Sequence, residues 1–389
     1  MAPKLWTSLL VVMLAASISC GQYRAPDLTV GSPDQWQMVD LPGVSGGSRA
    51  AAYDPGRDCL WILTRYFRQA GHPQVSLTQL NVRTHAATSI PLSISAAGFI
   101  QGSIIVDPSE HVWMSWGRNL VAYDPSDGLM GSWVLPAASS ASVVHTAPQL
   151  DGNSVAMSRT SDGEVWVVAH GVQAAFGFNT ANRKWDRMVN LSLSPYQSTR
   201  LAAIGTDVLA LNGLGAGGES MLGSVTISTG QFETIAPSVV NFVVVGSGAV
   251  VYEDGAHGID KIDLASRHVS HLRATIALAQ ASVLSVDPAG NAWVAVVTPK
   301  SVGLARIDTA TGSADVHPFP PIPIPSGSRE ACPAQRCQQP SVLDPSIQSI
   351  VFDKARDVWV ITAVPGTNAD PNLVFRIAAT PVYELTAAY

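Results

Sequence analysis

The chain has 389 residues, 47% of them hydrophobic and only 13% charged, with a net charge of −6. It can bury a sizeable core, and with no cluster of Lys and Arg it argues against nucleic acid or a basic membrane-binding patch as its business. The 32 Gly and 26 Pro, spread throughout, suit many short strands joined by tight turns.

Residues 1–20 are laid out as an export signal, with Lys4, an apolar run from Leu9 to Ala16, and then Ser17-Ile18-Ser19-Cys20. The run is short for a bilayer span, so a permanent anchor helix is not expected. The closing Cys resembles a bacterial lipoprotein signal, which makes Cys20 the expected lipidation site. Ser17 departs from that pattern, where an aliphatic residue is usual, and simple signal cleavage is the alternative. Both readings expect an extracytoplasmic protein, a bacterial cell-envelope lipoprotein or a secreted one, that meets membrane only through an N-terminal lipid. Residues 21–34 are polar and read as a tether.

Residues 35–389 read as one domain. A short strand is expected over Trp36 to Pro42, and from residue 50 a unit of strand, turn and strand recurs. Five copies are clear: AAYDPGRDCLWILT (Trp61), IIVDPSEHVWMSW (Trp113), AMSRTSDGEVWVVA (Trp166), LSVDPAGNAWVAV (Trp293) and IVFDKARDVWVIT (Trp359). Two degenerate copies centre on Leu209 and Val250. A second half-unit ends at Asn81, Asp124, Asn179, Ser228, Asp263, Asp308 and Ala378. The intervals between Trp-equivalent positions are 52, 53, 43, 41, 43 and 66 residues, the last lengthened by a Pro-rich insertion at 318–348.

Four short strands per repeat, at a period in the forties, predict an all-β fold: a single β-propeller of seven four-stranded blades. One blade cannot bury both faces alone, whereas a ring covers each face with a neighbour. The ring closes either with the strand at Trp36 or with Val382 to Leu385, the N-terminal one being slightly favoured. The unit Asp287-Pro288-Ala289-Gly290-Asn291-Ala292-Trp293-Val294, followed by Arg306 to Gly312, resembles the virginiamycin B lyase-like, NHL-type and two-component-regulator propellers. The resemblance implies fold only, because such proteins include lyases, hydrolases, sensors and binding platforms. No functional residue carries over.

No nucleophile elbow, zinc-protease helix, phosphate loop or calcium loop is present, no cluster has metal-ligand spacing, and no cofactor is implied. The recurrent Asp54, Asp107, Asp287 and Asp353 read as turn formers that accept backbone N–H groups. In an up-and-down blade the first–second and third–fourth strand turns share one face, and these carry the regular repeat. The second–third loops and the blade connections share the other face, where candidate binding residues gather: Arg65, Tyr66, Trp116, Arg118, His170, Asp254 and His257. The arginines suit a carboxylate or acidic sugar, the histidines suit acid–base work, and Trp116 suits either stacking on a sugar or packing between blades. Cys332 and Cys337 are expected to form a local disulfide, clipping the Pro-rich insertion into a semi-rigid flap over this face. Cys59, beside Trp61, reads as a buried thiol.

The leading expectation is a non-enzymatic platform that binds a protein, peptide or glycan through the loop face. The alternatives are a propeller lyase or hydrolase with its site at the channel mouth, and a structural member of an envelope complex.

Overall fold

The structure, a computed structural model, describes residues 29–30, 36–45, 47–67, 73–95, 102–136, 154–196, 199–246, 248–254, 258–273, 284–297, 302–320, 322–323, 342–343, 346–363 and 371–378. Among them every regular element is a β-strand. Seven sheets of four antiparallel strands follow one another along the chain. Blade one consists of Gly47–Asp54, Cys59–Phe67, Pro73–Asn81 and Ala87–Ser95. Blades two to six span residues 103–134, 154–190, 201–237, 239–273 and 284–318, and blade seven begins at residue 346. The first strands of successive blades touch each other in turn, from blade one to blade seven and back to one. They therefore line the centre of a closed seven-bladed β-propeller.

The N-terminal segment closes the ring. Trp36–Ser45 pairs antiparallel with Pro371–Ile377, matching Trp36 to Ile377 and Val39 to Val374, and so supplies the outer strand of blade seven. Val382 to Leu385 lie outside the described residues. Within the stretch read as a tether, Thr29–Val30 runs parallel to Asp315–Val316 and adds a fifth strand to blade six. The insertion at 318–348 starts from a small ribbon in which Ile322–Pro323 pairs with Val342–Leu343. Cys20, Cys332 and Cys337 lie outside the described residues.

The turn chemistry explains why the repeat folds as it does. In blade six, Asp287 Oδ1 accepts the backbone N–H groups of Ala289 and Asn291, both at 2.9 Å. Gly290 closes the turn at φ +88°, a left-handed conformation that costs glycine nothing. The other oxygen, Oδ2, accepts the indole N–H of Trp293 at 3.1 Å. The same carboxylate-to-indole bond joins Asp54 to Trp61 (3.2 Å), Asp107 to Trp113 (2.9 Å) and Asp353 to Trp359 (2.9 Å). Blade three has Thr160 where the others have Asp, and there Glu164 takes over, accepting from Trp166 at 2.9 Å. On the third–fourth strand turns, the side chains of Asn81, Asn179, Asp263 and Asp308 accept the N–H groups of the residues two and three positions on, and that of Asp124 accepts the N–H of Ser126.

The satisfied indoles can then be buried. Trp61, Trp166 and Trp359 are fully enclosed. Burying each roughly 200 Å² side chain contributes on the order of 5 kcal/mol of transfer free energy. The rings reach the next blade: Trp61 meets Tyr123, Trp113 meets Phe178, Trp293 meets Phe352 and Trp359 meets His85, with centroids 5.8 to 6.0 Å apart. The core is accordingly divided into seven clusters, one in each gap between neighbouring blades. Cys59 lies in the gap between blades one and two, where burial pushes its thiol up to about 11. It is an inert core thiol, as its position beside Trp61 suggests.

Candidate functional site at the loop face

On the repeat-turn face several charged groups are paired across neighbouring blades. Besides the turn bonds, Arg57 pairs with Glu110 across blades one and two at 2.6 Å, and Lys354 pairs with Asp58 across blades seven and one at 3.2 Å. Arg267 of blade five pairs with Glu233 of blade four. This face is held together by its own charges.

The opposite face is built from the ends of the second strands and the connections between blades. Arg65 and Tyr66 are not in a loop: the second strand of blade one continues to Phe67 and pairs them with Val75 and Gln74. Trp116 is 1% exposed and packs with Leu63 and Val121 in the gap between blades one and two. It is a packing residue, and its buried ring offers no face to a sugar. Arg118 is exposed at the tip of a two-residue turn that Gly117 makes at φ +56°. His170 is buried at the corner of blade three, where the next residue, Gly171, donates its N–H to the Pro195 carbonyl at 2.9 Å. Asp254 uses Oδ1 to accept the Gly258 N–H at 2.7 Å, closing its own loop in blade five. His257 lies outside the described residues. The candidates thus belong to blades one, two, three and five, distributed round the ring.

A cluster not singled out from the sequence joins blades four, five and six at the same end of the channel. Arg200 immediately precedes the innermost strand of blade four, Leu201–Ile204. Its guanidinium passes blade five and donates to the Leu284 carbonyl, the first residue of the innermost strand of blade six, at 2.5 Å. Its backbone N–H donates to Asn212 Oδ1 at 2.7 Å. The Asn212 amide, fully buried, donates in turn to the Val240 carbonyl at 2.8 Å and the Tyr196 hydroxyl at 3.3 Å. Glu253, at the end of the second strand of blade five, is 1% exposed and close enough to Arg200 to interact electrostatically. Burial pulls the Arg200 guanidinium down to about 10, with Glu253 opposing the shift. It therefore stays charged at neutral pH and acts as a fixed cation, not as a proton donor. Among the described residues no group of three or more His, Cys, Asp and Glu could hold a metal ion.

This arrangement sits on a common scaffold. No protein-family model and no curated protein matches the chain. Solved structures do. A streptogramin B lyase is 13% identical over 88% of this chain and 96% of its own, with a TM-score of 0.56. The virginiamycin B lyase of Staphylococcus aureus is 12% identical over 89% and 99%, also at 0.56. Kuenenia stuttgartiensis hydrazine synthase is 13% identical over 85% and 99%, at 0.54. What is shared is the fold. At such identity a propeller shared with lyases assigns no reaction to this chain.

The sequence signal for Arg200 was slight. Charged residues are sparse in this chain, and Arg200 is one placed in a short blade connection directly ahead of an inner strand. Its partners lie 12 and 84 positions away, so only the ring brings them together.

Proposed function

We propose that the protein is an extracytoplasmic, lipid-anchored binding platform that recognises a protein, peptide or glycan through its loop face. The observation that carries this reading is the contrast between the two faces. The repeat-turn face uses several of its charges as inter-blade ties, whereas the loop face presents exposed Arg118 and holds Arg200, Glu253 and Asn212 at the channel mouth. Loops and strand ends on a rigid scaffold are the usual seat of recognition. Fixed, partly desolvated charges suit a ligand with complementary charge, and carboxylate-bearing peptides and glycans meet that requirement. Location and anchoring rest on Lys4, the Leu9 to Ala16 run and Cys20.

The test is a glycan and peptide array probed with the mature chain and with Arg118→Ala and Arg200→Met variants. Binding that the loop-face variants reduce, with Lys184→Ala on the other face leaving it intact, supports the reading. Binding unaffected by either arginine overturns it. For the anchor, Cys20→Ala should move the protein from the membrane to the soluble fraction, and unchanged fractionation rejects lipidation.

A further inference from the structure

The N-terminal segment joins the ring from one side of the disc. In blade six the fourth strand, Ala314–Pro318, begins at the third–fourth turn on the repeat-turn face and runs toward the loop face. Thr29–Val30 lies parallel to it, with Thr29 opposite Asp315, the second residue of that strand. Thr29 is therefore reached from the repeat-turn end of the blade.

Blade seven gives the same direction independently. Its third strand, Pro371–Ile377, runs toward the repeat-turn face. Antiparallel pairing sets Trp36 opposite Ile377 and Ser45 opposite Pro371, so the ring-closing strand also starts at the repeat-turn end. Both strands that the N-terminal segment contributes thus begin on that side.

Covalent geometry converts direction into distance. Thr29 lies nine residues after Cys20. Even fully extended, that stretch reaches no more than about 30 Å. The five-residue outer strand of blade six is itself about 17 Å deep. An anchor at Cys20 that held the loop face against a bilayer would have to double back along the rim and use about half of that reach. An anchor that leads away from the repeat-turn end needs no reversal.

We infer that the anchored protein stands with the repeat-turn rim of blades six and seven toward a phospholipid bilayer and with its loop face pointing away from it. This rests on the proposed lipid at Cys20. The loop face then meets ligands that arrive from the aqueous side, and the headgroups of its own bilayer lie out of its reach.

The test uses the lipidated full-length chain in vesicles of phosphatidylethanolamine and phosphatidylglycerol that carry a headgroup-labelled acceptor lipid. A donor fluorophore is attached through an azido side chain at one position at a time. Ala310 is exposed in the third–fourth turn of blade six, and Asp127 and Arg118 are exposed on opposite faces of blade two. Energy transfer should be strongest from Ala310, and stronger from Asp127 than from Arg118. An Arg118 signal equal to or above that of Asp127 overturns the orientation, as does an Ala310 signal below either. Mass spectrometry of the same sample reads the anchor separately. Cys20 without acyl chains overturns the lipid reading and the orientation with it, whereas a lipidated chain with the reversed order of signals overturns the orientation alone.

Discussion

The indole Nε1 of Trp359 donates to Asp353 Oδ2 at 2.9 Å while Asp353 Oδ1 accepts the backbone N–H of Asp357, also at 2.9 Å. One carboxylate both shapes a hairpin and satisfies the polar atom of a fully buried ring. Asp353→Ala should therefore destabilise the fold by about 1–3 kcal/mol, because it strands a buried N–H and uncaps a turn. Asp353→Asn, which retains an acceptor, should lose less. Urea unfolding of the two variants checks the order, and equal losses would show that the one acceptor kept by Asn restores neither bond.

Two glycines separate strain from crowding. Gly128 and Gly312 both adopt positive φ, at +95° and +74°, but an added Cβ meets nothing at Gly128 and the Leu272 carbonyl at Gly312. Gly128→Ala should cost about 1 kcal/mol from backbone strain alone. Gly312→Ala should cost clearly more, since a backbone carbonyl of the adjacent blade must move. Thermal unfolding of the pair measures the difference.

Acid should weaken the fold in two separate windows. His317 stacks on Trp293 with centroids 5.5 Å apart, and burial holds its imidazole below the ordinary value of 6.5, with Asp315 opposing. The unfolded chain then takes up this proton more readily than the folded one. Stability is complete above 6.5 and is lost as pH falls through that value toward the folded one. The Asp124, Asp263 and Asp308 carboxylates are held low chiefly by backbone N–H groups, so their contribution is lost only below 3.8. Unfolding free energies of wild type and His317→Gln should differ in slope between about pH 7 and pH 5 and converge in slope above it. Identical slopes would reject the role of His317.

Removing residues 1–45 should open the ring. The deletion strips Val39 and Leu41 from the blade seven–blade one core and Trp36 from its stack on Phe319, whose centroid is 4.3 Å away. Each of the two aliphatic side chains contributes roughly 1.5–3 kcal/mol of burial. The outer edge of Pro371–Ile377 is left unpaired, a template for association. Size-exclusion chromatography with light scattering should show larger species than the full-length chain forms.

The ring was legible because its cause is local and repeated. The Trp61, Trp113, Trp166, Trp293 and Trp359 units each carry their own turn chemistry, and the blades at Leu209 and Val250 follow from spacing. The turn role of the repeated Asp was legible for the same reason, since the acceptor and its N–H donors lie within four residues. Their second role, toward the indole, depends on side-chain direction after the turn has folded. The binding face was legible only as a face. Arg65 and Tyr66 belong to a strand that outruns its counterparts, Trp116 turned inward, and Arg200 acquires its neighbours only once blades four, five and six stand side by side.

The seam at blade seven also sets an order of assembly. Gln37 meets Arg376, 339 positions away along the chain. Six blades can form by pairing strands that are neighbours in sequence, but the seventh must wait for both ends of the polypeptide. During synthesis and any transport the segment around Val39 and Leu41 is an apolar strand without a sheet, the kind of segment chaperones hold. Circularisation is thus the last commitment the molecule makes, and a protein emptied of that one strand would carry seven correct turns and still remain an arc.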